Sequence, residues 1–90
     1  MRLKDRVAIV TGGGSGLGAG IAKRFAAEGA AVVCADINEE NAETVASGIA
    51  ATRDGAIAMR VDVTDYQDAE RLTAETVRQF GRVDIVVNSA

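Results

Sequence analysis

The sequence lacks several features that define other classes of protein. It contains no proline, a single cysteine at position 34, and only 3% aromatic residues. One cysteine cannot form an internal disulfide, and the apolar run around Cys34 indicates a small buried hydrophobic side chain. With so few aromatic residues, any core must be built from alanine, valine, isoleucine and leucine.

Signals for nucleic acid, membranes and export are also missing. The formal net charge is −3 with acidic and basic residues interspersed, so the sequence indicates no basic surface for nucleic acid. No apolar run approaches the roughly 18 residues that a membrane span needs. Residues 1–6 have no apolar segment of the kind found in a signal peptide. These features predict a reduced, cytoplasmic protein with no membrane or nucleic-acid partner.

A glycine-rich stretch, TGGGSGLG from Thr11 to Gly18, follows the apolar run Val7–Val10. Helical periodicity comes after it, so the pattern predicts a strand, a phosphate-binding loop and a helix. Gly12 permits a sharp turn off the strand, Gly16 leaves space for a pyrophosphate, and Gly18 lets the helix pack closely. The first helical turn then presents N–H groups to an anion. No Gly-Lys-Ser or Gly-Lys-Thr follows, which excludes a P-loop, and the flanking elements disfavour a flexible linker.

Three further strands are predicted at Ala30–Ala35, Ala56–Val61 and Val83–Val87, each separated from the preceding strand by a helix. A turn is predicted at residues 52–55. The apolar faces of the three helices comprise Leu17, Ile21, Ala22, Phe25 and Ala26, then Ala42, Val45, Ala46 and Ile49, then Ala69, Leu72, Thr76, Val77 and Phe80. The predicted helix boundaries are Gly29 and Gly81 as ends, Asn38 as a cap, and Thr64 with Gln67 as a capping box.

Strands that alternate with helices predict an α/β fold, here a Rossmann-type doubly wound parallel sheet with strand order 3-2-1-4. The first two helices should cover one face of the sheet and the third helix the other face. The glycine loop, Asp36, Asp62 and Asn88 each follow a strand. Because the strands are parallel, these residues should meet at one edge of the sheet, where ligands bind.

Asp36 lies at the tip of the second strand, where a carboxylate can accept hydrogen bonds from the ribose hydroxyls of an adenosine. Its charge would repel a 2′-phosphate, and the flanking Ser15 and Ile37 supply no cation, which favours NAD over NADP. Asp62 can accept from an adenine amino group, and Val63 offers a backbone N–H and an apolar wall. Asn88 can clamp neighbouring backbone. Each of these polar residues also fits a plain solvated strand end or turn.

These motifs together resemble the N-terminal part of a short-chain dehydrogenase/reductase. The family's Thr-Gly-x-x-x-Gly-x-Gly corresponds to Thr11 through Gly18, and its Asp-Val pair to Asp62-Val63. Its Asn-Asn-Ala-Gly stretch is represented by residues 88–90, where serine replaces the second asparagine. The resemblance implies a cofactor site made of Gly12, Ser15, Gly16, Leu17, Gly18, Asp36, Ile37, Asp62, Val63, Asn88 and Ala90.

The resemblance also implies hydride transfer between NAD and an alcohol or carbonyl substrate, within a homo-oligomer. Family members use a tyrosine with a lysine four positions later, but the single tyrosine, Tyr66, is followed by Glu70. The sequence therefore has no candidate catalytic or metal-ligating residue. We expect residues 1–90 to be the NAD-binding segment of a single larger catalytic domain, inactive alone. A non-catalytic nucleotide-binding module is the alternative, and a methyltransferase binding S-adenosylmethionine is a weaker one.

Overall fold

A computed structural model describes residues 2–52 and 55–89, in which strands and helices alternate. The elements are β1 (Val7–Thr11), α1 (Gly16–Ala27), β2 (Ala31–Asp36), α2 (Glu39–Ala50), β3 (Ala56–Arg60), α3 (Tyr66–Phe80) and β4 (Ile85–Asn88). The strands pair in parallel in the order β3-β2-β1-β4. The predicted α/β fold class and strand order are confirmed.

The sheet is packed on both faces, because successive side chains of a strand point to opposite sides. Val10 and Cys34 belong to a cluster with α1 and α2, whereas Ile9 and Val33 pack with Leu72 of α3. Full burial of a valine or isoleucine contributes about 1.5–3 kcal/mol. Right-handed crossovers thus place α1 and α2 on one face and α3 on the other, as predicted.

Cys34 confirms its predicted role as a small core residue. Its side chain is fully buried at the centre of β2. Burial raises the pKa of the thiol to about 11, so Cys34 stays protonated and unreactive at neutral pH. Among residues 2–52 and 55–89, no helix is long and apolar enough to cross a membrane.

Several predicted helix boundaries and faces are confirmed. Asn38 caps α2, and its Oδ1 accepts a hydrogen bond from Asn41 N at 3.0 Å. Gly29 and Gly81 end their helices with φ of 100° and 86°. The predicted turn at 52–55 falls partly on Arg53 and Asp54, which lie outside the described residues. The buried face of α2 is the predicted one, namely Ala42, Val45, Ala46 and Ile49.

The predicted apolar face of α1 is wrong at Leu17, which is 76% exposed. Ala22 and Ala26 are buried as predicted, and Ile21 and Phe25 are half-buried against the core. Gly18 and Ala19 complete the buried side of the helix. These small residues allow α1 to lie close to the sheet, and the rotation that buries them turns Leu17 toward solvent.

The predicted start of α3 is also wrong by one residue. Thr64 Oγ1 donates a hydrogen bond to Asp62 Oδ1 at 2.6 Å, so this hydroxyl does not cap the helix. The cap is Asp65, whose carboxylate accepts from the backbone N–H groups of Gln67 and Asp68. Val77, predicted on the buried face of α3, is 45% exposed.

An aspartate joins the amino ends of β1 and β4, opposite the edge where the strands carry the predicted site. Asp84 Oδ2 accepts a hydrogen bond from Val7 N at 2.9 Å, and Oδ1 lies 2.6 Å from Arg82 Nη2. Arg6 is 3.7 Å away. The Arg82 hydrogen bond, followed by that of Val7 N–H, holds the pKa of Asp84 below its usual value.

This lowered pKa predicts that part of the protein's stability depends on pH. A carboxylate whose pKa falls on folding stabilises the fold above its unfolded pKa, and this contribution disappears as pH drops through the folded pKa. Asp84→Asn should therefore lower the melting temperature at pH 7 and reduce its decline between about pH 5 and 3. Asp5→Asn, at an exposed position, is the control. Equal acid sensitivity of Asp84→Asn and the unmodified protein in thermal melts would contradict this role.

Candidate functional site

A cavity of about 200 Å³ opens where the carboxyl ends of β1, β2 and β3 meet. It combines two carboxylates with apolar walls, a composition suited to a nucleoside. Its lining residues are Gly12, Asp36, Ile37, Val61, Asp62, Val63 and Thr64. The fold thus brings together residues from the ends of three strands, as the sequence predicts.

The glycine loop turns from β1 into α1 through left-handed backbone. Gly12 has φ of 69° and Gly16 has φ of 57°, values that favour glycine. A side chain at Gly16 would meet no atom within 4 Å, so this side of the loop faces open space. The N-cap of α1, Ser15, makes no side-chain capping bond, and the first turn carries no acidic residue. The positive end of the α1 dipole therefore lacks a side-chain counter-charge within its own first turn.

Asp36 holds two segments of the site together. Its Oδ2 accepts a hydrogen bond from Gly14 N at 3.0 Å, and its Oδ1 accepts one from Asn38 N at 3.0 Å. The first donor belongs to the glycine loop and the second precedes α2. The carboxylate is fixed on the cavity wall beside Ile37, which is 60% exposed.

Asp62 follows β3, lines the same cavity and is also anchored. Its Oδ1 accepts from the hydroxyl of Thr64 at 2.6 Å and from Thr64 N at 3.0 Å. These two hydrogen bonds hold the pKa of Asp62 below its ordinary value. Asp62 N in turn donates to Asp68 Oδ2 at 2.9 Å, which ties this segment to α3. The carboxylate is therefore ionised at neutral pH and can accept from a ligand.

The tips of β1 and β4 are joined through Thr11. Its Oγ1 lies 3.1 Å from Asn88 Oδ1 and 3.2 Å from the Val87 carbonyl oxygen, so one hydroxyl proton serves two acceptors. Ser89 donates to the Thr11 carbonyl from both its N at 3.1 Å and its Oγ at 2.7 Å. Asn88 thus accepts a hydrogen bond from the Thr11 side chain, and Ser89 clamps the backbone of β1.

Gly18 packs as closely as predicted. A Cβ at this position would meet the carbonyl group of Gly12 and would lie 2.5 Å from Ser89 Oγ. The start of α1, the end of β1 and the end of β4 therefore meet at a point that admits no side chain.

The predicted site residues fall into two groups. Five of them line the cavity directly, namely Gly12, Asp36, Ile37, Asp62 and Val63. Ser15, Gly16, Leu17 and Gly18 form the loop and the start of α1, and Asn88 lies at the tip of β4. Ala90 lies outside the described residues.

Sequence reasoning missed the supporting residues of this site. Thr11, Gly14 and Ser89 fix its geometry through hydrogen bonds, yet none was predicted to do so. The run of three consecutive glycines and the unusual serine after Asn88 were the available signals.

Comparison with known proteins agrees with this geometry. The model of the family described as short chain dehydrogenase matches residues 6–90. The chain belongs to the short-chain dehydrogenase/reductase family. A crystal structure of a hydroxysteroid dehydrogenase from Escherichia coli superposes with a TM-score of 0.93 at 41% identity, covering 97% of this chain and 37% of that one.

Curated family members extend the match. The chain is 47% identical over 89 residues to 2,5-dichloro-2,5-cyclohexadiene-1,4-diol dehydrogenase LinX of Sphingobium indicum, covering 99% of this chain and 36% of that protein. It is 39% identical over 90 residues to meso-2,3-butanediol dehydrogenase of Serratia marcescens, and the match covers 100% of this chain and 35% of that protein. The chain thus spans just over a third of the length of these relatives.

The single tyrosine of the sequence, Tyr66, lies outside the cavity. Tyr66 begins α3, is 77% exposed, and precedes Glu70 by one helical turn. Within residues 2–52 and 55–89, no group of three or more histidine, cysteine, aspartate or glutamate side chains is arranged to hold a metal ion.

Proposed function

We propose that this chain is the NAD-binding segment of an oxidoreductase that transfers hydride between nicotinamide and an alcohol or carbonyl compound. The observation that carries the proposal is the position of the Asp36 carboxylate, fixed by two backbone N–H groups on the wall of the cavity at the carboxyl ends of the strands. The family and the names of its dehydrogenase members support the reaction class.

The cavity suits an adenosine. Ile37 and Val63 are both largely exposed at its mouth, where they can cover the faces of a base. Asp62 is ionised and can accept a hydrogen bond from the adenine amino group. Asp36 can accept from the hydroxyls of the ribose, because each carboxylate oxygen has more than one acceptor direction.

The glycine loop suits the pyrophosphate. The N-terminus of α1 carries unpaired N–H groups and the positive end of a helix dipole, and Gly16 leaves open space in front of them. An anion there would supply the counter-charge that the first turn of α1 does not provide.

The preference for NAD over NADP follows from charge. A 2′-phosphate on the ribose would approach the Asp36 carboxylate, and two negative charges at short range repel each other. Ser15 and Ile37, the neighbours of this position, are uncharged. Binding of the phosphorylated cofactor would need a cation at this point.

The role of this chain in the proposed reaction is to bind the cofactor. General acid–base catalysis needs a side chain with a tuned pKa, and Tyr66 has Glu70 where the family pattern has lysine. We therefore propose that residues 1–90 are one segment of a larger catalytic domain in a cytoplasmic homo-oligomer. A nucleotide-binding module without catalysis is the second candidate, because the glycine loop and the Asp36 carboxylate fit that role equally well.

Calorimetric titration of the purified protein with NAD, NADP and S-adenosylmethionine tests the proposal. NAD should bind, and NADP should bind at least about tenfold more weakly, as expected for an unfavourable interaction with a charged group. Failure to bind either dinucleotide would overturn the proposal, and binding of S-adenosylmethionine alone would favour the methyltransferase alternative. Assay with NAD and alcohols then separates an oxidoreductase from a non-catalytic module.

A further inference from the structure

Gly14 is crowded by the two elements that flank Asp36. A Cβ at Gly14 would lie 2.8 Å from Asp36 Oδ2, 2.8 Å from Asn41 Cβ and 2.9 Å from Ala42 N. Unlike Gly12 and Gly16, Gly14 has no positive φ. Packing against its neighbours, rather than backbone conformation, therefore requires the absence of a side chain at this position.

The same residue donates to the carboxylate that it crowds. Gly14 N–H donates to Asp36 Oδ2 at 3.0 Å, while Asn38 N–H donates to Oδ1 at 3.0 Å. Two donors from two separate segments fix the plane of the carboxylate. Each oxygen keeps a further acceptor direction for a hydroxyl group.

A methyl group at position 14 would displace the carboxylate in preference to the helix. Ala42 is fully buried in the core, and the Asn38 side chain caps the turn that contains Asn41. Asp36 Oδ2, by contrast, is the end of a side chain that can rotate. Rotation of Asp36 relieves the contact at Oδ2 and removes the carboxylate from its orientation toward the cavity. The contacts with Asn41 Cβ and Ala42 N require the glycine loop to move away from α2, which weakens the Gly14 N–H hydrogen bond that holds the same carboxylate.

We propose that Gly14 is a positioning residue that orients Asp36 toward the ribose hydroxyls of the bound nucleotide. Its N–H holds the carboxylate in place, and its missing side chain leaves room for that orientation. This inference rests on the proposed function, since it concerns how the same site recognises a ribose.

Calorimetric titration with ADP and 2′-deoxy-ADP tests this inference, because the two ligands differ only in one ribose hydroxyl. The unmodified protein should bind ADP roughly tenfold more tightly than 2′-deoxy-ADP, the effect of one hydrogen bond to a charged group. In Gly14→Ala this ratio should fall toward one. Gly20→Ala is the matched control, since a Cβ at Gly20 meets nothing within 4 Å, and its ratio should be unchanged.

The ratio separates positioning from a general structural role. If Gly14→Ala weakens the binding of ADP and 2′-deoxy-ADP equally, so that the ratio of their affinities persists, the inference is overturned and the proposed function stands. If the unmodified protein binds neither ligand, both the proposed function and the inference that rests on it are overturned. Should Gly14→Ala not fold, Gly14→Ala/Asn41→Gly removes one of the crowding atoms and should show the same reduced ratio. A retained ratio in that double variant would equally contradict the inference.

Discussion

Replacing Asp36 with alanine will weaken NAD binding and reduce the preference for NAD over NADP. In the proposed complex the carboxylate accepts hydrogen bonds from the ribose and repels a 2′-phosphate. Alanine removes both effects. A hydrogen bond to a charged group contributes about 1.5–3 kcal/mol, so the affinity for NAD should fall by about 10- to 100-fold. The affinity for NADP should fall much less, because the repulsion disappears at the same time.

The ratio of the two affinities is the decisive quantity, since Asp36 also has a structural role. Its carboxylate accepts from Gly14 N and Asn38 N, and loss of these bonds will loosen the glycine loop for any nucleotide. That loss affects NAD and NADP alike and cancels in the ratio. Calorimetric titration with both cofactors measures this ratio.

Asp65→Ala is a matched control for Asp36→Ala. Asp65 also accepts from two backbone N–H groups, those of Gln67 and Asp68, but it caps α3 and does not line the cavity. Its loss should cost about 1 kcal/mol of stability and leave the cofactor ratio unchanged. Unchanged NAD and NADP affinities in Asp36→Ala would show that the ribose does not bind at the tip of β2.

Replacing Gly18 with alanine will destabilise the protein and impair nucleotide binding. The new Cβ would collide with the carbonyl group of Gly12 and lie 2.5 Å from Ser89 Oγ. Because Gly12 belongs to the backbone of the loop, relief requires α1 to move away from β1. Overpacking of this kind costs about 1–3 kcal/mol or more. The displacement also moves the helix N-terminus that is proposed to bind the pyrophosphate.

Gly20→Ala in the same helix provides the opposite expectation. Position 20 is exposed and a Cβ there meets nothing within 4 Å, so only helix propensity changes. Alanine should therefore stabilise α1 by about 0.5–1 kcal/mol. Urea denaturation of the two variants should give changes of opposite sign. Equal stability of the two variants would contradict the close packing of Gly18 against Gly12.

Much of the architecture could be predicted because it depends on local sequence patterns. Apolar β-branched runs separated by helical periodicity predict parallel strands, and right-handed crossovers then restrict the strand order. The buried face of α2 was predicted correctly because Ala42, Val45, Ala46 and Ile49 lie on one narrow stripe of the helix. The carboxyl-end placement of Asp36 and Asp62 follows from the same topology.

The errors arise where two neighbouring residues compete for one role. In α1 the predicted apolar face is wide, and periodicity alone does not decide which of its edges lies in solvent. Only the close approach permitted by the small residues places Leu17 in solvent. At α3 both Thr64 and Asp65 can cap a helix, and Asp62 settles the outcome by accepting the Thr64 hydroxyl.

The sequence by itself determined the order of elements, the glycine loop and the edge of the sheet where the polar residues gather. These follow from periodicity, from the φ angles that glycine permits, and from the common direction of parallel strands. The tertiary structure alone decided how the site is held. The hydrogen bond from Gly14 N to the Asp36 carboxylate and the Ser89 clamp on Thr11 join segments brought together by folding. Such contacts depend on distances in space between residues far apart in the chain, which no local pattern encodes.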